Sequence, residues 1–212
     1  MFEKIAEKIA SPHSFRRADE TADEKFYDFP RFVTHIDDGA IGFTTELYRE
    51  FFPANGAILD LMSSWVSHLP EEVAYARVAA TGMNAAELAA NPRLSEFVVQ
   101  NLNASQTLPF GDAEFDGAAI CVSVQYLVQP AAVFREIGRV LKADAPLVVT
   151  FSNRCFPTKA VYAWNALDDD GHVELVREYF ARSGSFAEKI EIRRHQPRFG
   201  DPLFGVVGRA KK

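Results

Sequence analysis

Apolar residues fall along this chain in two rhythms. Short solid runs occur at 57–61 (AILDL), 75–84, 97–103, 116–122 and 147–151. Runs of this length, bounded by turn residues, fit parallel strands that are covered on both faces. Between and around them the apolar spacing lengthens to that of a helix. Phe2, Ile5, Ala6 and Ile9 make one such face at the start of the chain, closed by Ser11-Pro12. Residues 44–52 make another, with Thr44 or Thr45 as the cap and Leu47 and Phe51 inward. The stretch 67–72 has room for about two turns of helix. Helices are also predicted over 85–91 (stopped by Pro92), 130–141, 159–167 and 172–183. Pro130 suits a first turn, and Gly184 a C-terminal cap. The acids at 168–170 suit the start of the last helix rather than a metal site. Phe186, Ile190 and Ile192 predict a sixth strand and 203–208 a seventh, joined through the turn between Pro197 and Pro202.

Strand and helix patterns that alternate from residue 57 onward predict an α/β fold. The expected architecture is a Rossmann-like, doubly wound, seven-stranded and mostly parallel sheet with one antiparallel strand near the C-terminus. Residues 1–56 are expected to form a helical and aromatic cap segment, and 57–212 one compact domain.

In open α/β sheets ligands bind beyond the carboxyl ends of the strands. The first strand ends at Asp60 and breaks into Met62-Ser63-Ser64-Trp65. Asn84 lies 84 − 60 = 24 positions after Asp60, near the distance at which a ribose-binding side chain is found in nucleotide sites. Asn103 stands at the end of the third strand and can accept through its amide oxygen. Ser123, Gln125 and Tyr126 follow the fourth strand and are expected to face the crevice of a doubly wound sheet. Asn153 and Arg154 follow the fifth, in a loop able to bind an anionic or carbonyl-bearing group. The aromatic segment 26–38 precedes the first strand, and its Tyr27, Arg31 and His35 are candidates for substrate contact. His68 reads as a structural histidine, since no Gly-x-Ser-x-Gly elbow accompanies Ser67.

The elements ILDL, GMN, LPFGDAEFD and VFREIGRVLK, spread over 57–150, are similar to those of the class I S-adenosylmethionine-dependent methyltransferases, in particular the type 11 group. The resemblance implies S-adenosyl-L-methionine as cofactor. It places Asp60, Leu61, Met62, Ser63, Ser64, Met83, Asn84, Leu102, Asn103, Cys121 and Val122 around it, with Asn103 where the family has an acid facing the adenine amino group. The chain departs from the family at the first turn, where Gly-x-Gly-x-Gly is expected and Met62, Ser64 and Val66 stand instead. Glycine there permits positive φ and close approach of backbone to cofactor. If the altered turn still cradles the cofactor, Trp65 must pack beneath it. Pro-Gly-Gly after the fourth helix is likewise replaced, by Ala143-Asp144-Ala145.

Two functions stay open: methyl transfer to a small molecule, and a catalytically inactive binding or regulatory module on the same fold. A nucleotide-dependent oxidoreductase fits less well, because the dinucleotide glycine fingerprint is missing. Methyl transfer needs alignment more than acid–base help, so no residue is demanded as a base; His35 ranks first among the histidines because its segment is expected to cover the pocket. The net charge of −6 over 212 residues disfavours nucleic acid as partner. Two isolated cysteines, Cys121 and Cys155, form neither a metal motif nor a disulfide framework. A reduced, cytoplasmic setting is expected, with no metal and no membrane span.

Overall fold

The computed structural model describes residues 11–211. The helix expected over Phe2 to Ile9 lies outside them. After a 3-10 turn at Pro12–Phe15, the helices are α1 (Asp23–Phe26), α2 (Asp38–Phe51), α3 (Ala85–Ala90), α4 (Pro130–Val140), α5 (Tyr162–Asn165) and α6 (Asp169–Ser183). The strands are β1 (Ala57–Ser63), β2 (Arg77–Gly82), β3 (Glu96–Val99), β4 (Gly117–Cys121), β5 (Pro146–Ser152), β6 (Glu191–His195) and β7 (Leu203–Arg209). They form one seven-stranded sheet in the order β3-β2-β1-β4-β5-β7-β6. The first five strands in sequence pair in parallel, and β7 runs antiparallel to both its neighbours. The expected α/β sheet with its antiparallel C-terminal strand is borne out.

Alternation along the central strands divides the core in two. Leu59 and Leu61 of β1, Ala118 and Ile120 of β4, and Leu147, Val149 and Phe151 of β5 point to one face. There they meet Val133, Phe134 and Ile137 of α4 and Val176, Tyr179 and Phe180 of α6. Ile58, Ala119, Val148 and Val207 point to the other face, against Leu47, Tyr48 and Phe51 of α2. Phe134 is fully buried and meets the rings of Phe180, Tyr179 and Phe186 edge-on at centroid distances of 4.9, 5.9 and 6.4 Å.

The structure corrects several local readings. Helix α2 begins at Asp38 rather than Thr44, because Asp37 caps it by accepting from Ala40 N at 2.9 Å. Thr44 and Thr45 instead bond the carbonyls of Ala40 and Ile41 within the helix. No helix forms over 67–72. The crossover from β1 to β2 is irregular, and buried Leu69 takes the place of a helix by packing beside Ile58 and Val78. Strand β3 stops at Val99, short of residue 103, and the helix expected over 159–167 is confined to Tyr162–Asn165. Phe186 makes only an isolated bridge to Ala210 and fills the α4–α6 core, so β6 begins later. The last helix ends as expected, with Gly184 in the left-handed region at φ 73°, but begins at Asp169 rather than His172, because Asp168 caps it by accepting from Gly171 N. Among the described residues no helix is long and apolar enough to cross a membrane.

Truncating Phe134 to Ala should therefore lower stability by about 3–5 kcal/mol, through lost burial and the cavity left among Tyr179, Phe180 and Phe186. Urea unfolding followed by circular dichroism measures this. A loss below about 1 kcal/mol would mean that the α4–α6 layer collapses to refill the space.

Candidate functional site

The carboxyl ends of β1, β2, β4 and β5, with the turn after β3, surround a cavity of about 480 Å³. A cavity of this size is within the roughly 300–1,000 Å³ usual for small-molecule and cofactor sites. The structure brings Asp60, Met62, Ser63, Ser64, Met83, Asn84, Leu102, Asn103, Cys121 and Val122 to its wall, together with Tyr27, Arg31, His35, Tyr126, Asn153 and Arg154. Leu61 is not on the wall; it is buried on the α4–α6 face. Gln125 is not on it either; it is buried, and its Nε2 donates to Val122 O at 2.9 Å.

The carboxyl end of β1 has a glycine-like backbone without a glycine. Met62 has φ 55°, in the left-handed region, and the β1–β2 register shifts between Asp60 and Ser63. His68 and Val122, also on the cavity wall, have φ 52° and 40°. Such backbones cost on the order of 1–3 kcal/mol each for residues with a Cβ, and tend to gather at functional sites. Gly82 is needed for closeness: a Cβ there would stand 2.5 Å from Ser63 O and 2.9 Å from Leu88 Cδ2. Ser63 Oγ donates to Asp60 Oδ2 at 2.6 Å, and Ser64 Oγ to Glu87 Oε2 at 2.8 Å. Trp65 does not lie beneath the turn. Its Nε1 donates to Val33 O at 3.1 Å and its ring meets Phe32, so it fastens the segment that covers the site.

That covering arm runs from α1 to Asp37 and holds the strand ends by their asparagines. Asn84 Oδ1 caps α3 through Ala86 N and Glu87 N, while its Nδ2 donates to Tyr27 O and Asp28 O at 2.9 and 3.0 Å. Asn103 Nδ2 donates to Asp23 Oδ2 at 3.0 Å and its Oδ1 accepts from Val128 N. Asn101 Nδ2 reaches Glu24 Oε1 at 2.8 Å. Two residues of the wall, by contrast, each bury a side-chain oxygen that has no partner among the described residues: Ser123 Oγ and Gln100 Oε1.

Residues 55–149 match the family model of a methyltransferase domain. The chain has the class I S-adenosylmethionine-dependent methyltransferase fold. Solved structures agree on that fold. A putative methyltransferase in complex with the Haloferax volcanii Trm112 methyltransferase activator is 16% identical, with a TM-score of 0.59, and the match covers 82% of this chain and 90% of that one. The [4+2]-cyclase SpnF is 16% identical, with a TM-score of 0.60 and coverage of 89% and 91%. An S-adenosylmethionine-dependent methyltransferase from Mesorhizobium loti is 16% identical, with a TM-score of 0.55 and coverage of 81% and 99%. Comparison with curated protein sequences gives no match.

Burial sets the electrostatics of this methyltransferase-fold cavity. Asp60 is 4% exposed, and desolvation pushes its carboxyl up to about 6 against the opposing hydrogen bonds of Ser63 and Ser67. Burial likewise pushes the Cys121 thiol up to about 11 and the Tyr27 phenol well above its ordinary value. His35 and His68 are held below the usual imidazole value by burial, so both are neutral near pH 7 and able to accept a proton. His68, which reads as a structural histidine, lines the cavity. Ser123 lines it from the sheet edge expected of it, and Glu87 and Phe156 line it too; nothing in the local pattern of these two pointed there, because long-range packing brings them in.

Two outcomes follow from the cavity's acid and its asparagine. Asp60 titrates near its ordinary 3.8 when unfolded and near 6 when folded. Between these pH values the native state binds more protons, so stability falls as pH rises through the window and stays lower above it. Asp60→Asn should lack that fall and exceed wild type by on the order of 2 kcal/mol at pH 7, read from urea midpoints at pH 4, 5, 6 and 7 (about one unit apart, to span the window). Parallel curves for the two proteins would refute the shift. Asn84→Ala removes the α3 cap and both bonds to the arm. It should cost about 1–2 kcal/mol and speed tryptic cleavage at Arg31; an unchanged cleavage rate would show that the arm is held without Asn84.

Proposed function

We propose that this protein is an S-adenosylmethionine-dependent methyltransferase acting on a small molecule. The observation that carries the reading is Met62: at the position of the family's first glycine the backbone is left-handed even though the side chain is not glycine. A chain with no use for that turn has no reason to bear the strain.

The residues on the cavity wall fit the cofactor. Met62 to Ser64 would hold its amino-acid end through backbone N–H groups, and Met83, Leu102 and Val122 would flank its nucleoside. Bound there, S-adenosylmethionine supplies a methyl group already activated by its sulfonium. The chain's part is then to orient an acceptor beneath the arm and exclude water. Neutral His35, stacked edge-on against Phe156 at 5.5 Å, is placed to take the proton an acceptor releases.

A second reading, an inactive binding module, draws on one observation. Asn84 and Asn103, the side chains expected to serve ribose and adenine, have their hydrogen bonds taken by α3, the arm and Val128. Calorimetric titration with S-adenosylmethionine and S-adenosylhomocysteine separates the two. Binding in the micromolar range, about −8 kcal/mol, is expected, and Ser64→Trp should weaken it more than tenfold, or by over about 1.4 kcal/mol. No binding at millimolar cofactor would leave the binding module as the function.

A further inference from the structure

The arm lays a cation over the cavity that no carboxylate among the described residues answers. Arg31 leaves the backbone where its N–H donates to Glu87 Oε1 at 2.6 Å, and its side chain then reaches across to the loop after β5. The guanidinium carbon lies 4.8, 5.6 and 5.8 Å from the ring centres of Phe26, Phe156 and Tyr27. Its terminal nitrogens donate to Phe26 O at 2.9 Å and, at the limit of a bond, to Phe29 O at 3.5 Å. A guanidinium has five N–H donors, so three have no acceptor among the described residues.

The acids of the cavity wall are all engaged elsewhere. Asp23 pairs with Arg17 at 2.7 Å and with Lys159 at 3.4 Å. Asp60 is bound by Ser63, and Glu87 takes Ser64 Oγ and the backbone of Arg31. Among the described residues no carboxylate comes within ion-pair distance of the Arg31 side chain. Arg154, on the same loop as Phe156, is 63% exposed and meets Asp201 only loosely at 3.6 Å. The mouth of the cavity therefore sets cationic groups beside aromatic faces, and the chain leaves the positive charge uncompensated there. A planar cation flanked by rings suits a planar anion, because the fork can be met in the plane while the ring faces stack.

From this juxtaposition we infer that the site takes an aromatic acceptor carrying a carboxylate, which Arg31 grips. The inference rests on the proposed methyltransferase reading and specifies its acceptor. Arg31 belongs to the cover and not to the strand ends, so its partner is the acceptor and not the cofactor.

The test titrates benzoate and its neutral isostere benzamide into the protein by saturation-transfer NMR, with and without S-adenosylhomocysteine. Benzoate should bind about tenfold more tightly than benzamide. Arg31→Met should erase that preference, Arg31→Lys should retain part of it, and S-adenosylhomocysteine affinity should stay within about twofold in both. A thermal melt of each variant confirms that it is folded. Equal binding of the two probes, no detectable benzoate binding, or a benzoate preference that survives Arg31→Met overturns the inference. So does a loss of S-adenosylhomocysteine affinity in Arg31→Met that matches the loss of benzoate, since the cation would then serve the cofactor. A wild type that binds benzoate through Arg31 but never binds S-adenosylhomocysteine defeats the methyltransferase reading alone, and leaves an aromatic-carboxylate binding module.

Discussion

Near its carboxyl end β1 passes through a left-handed residue, and the geometry of the cavity depends on that bulge. Met62 at φ 55° shifts the register between Asp60 and Ser63, after which Ser63 pairs again with Gly82, and Ser63 and Ser64 line the cavity. The bulge can sit close to β2 only because Gly82 has no Cβ to strike Ser63 O. Ser63 in turn bonds Asp60, which lies too deep for water to solvate its charge. A strained backbone, a close approach and a desolvated acid are thus stacked within a few residues. The hydrophobic sheet beneath, with both faces of β1 packed, supplies the stability that tolerates them.

The irregular crossover from β1 to β2 extends the same logic. A parallel pair needs a connection over one face, usually a helix. Here Leu69 plugs that face, and Asn91 donates to Ser64 O and Ser67 Oγ at 3.0 and 2.8 Å to hold the loop. The loop thereby brings Val66, Ser67 and His68 to the cavity wall.

The arm joins this base by two kinds of contact. Its root is ionic and buried: Lys159 is fully enclosed, with Nζ 2.6 Å from Thr21 O and 3.4 Å from carboxylate oxygens of Asp19 and Asp23. Its outer part is held by isolated hydrogen bonds, two from Asn84, one to Glu87 and one from Trp65, while Phe29 and Phe32 are 77% and 51% exposed. Removing a partner from the root leaves a buried charge unmet, whereas each outer bond contributes only about 1 kcal/mol. Local opening is therefore cheapest at the part of the arm that lies over the cavity.

The sequence by itself determined the seven strands, the α4 stripe of Val133, Phe134, Ile137 and Val140, and the Asp168 and Gly184 ends of α6. Those features follow from periodicity and capping chemistry that act within a few residues. It also pointed to the strand ends as the place where Asp60, Asn84 and Asn103 would gather, because parallel topology puts all those ends at one edge. Only the tertiary structure decided what these side chains touch. Asn84 meets the arm 57 positions away in sequence, and residues 67–72 forgo a helix because Leu69 is worth more in the core than in a short, poorly nucleated turn. Trp65 and Phe186 go where rings from distant segments leave room for them. The sequence marks Arg31 only as one of three candidates in the covering segment; its lack of a counter-ion among the described residues exists only once the fold has assigned every nearby carboxylate to another partner.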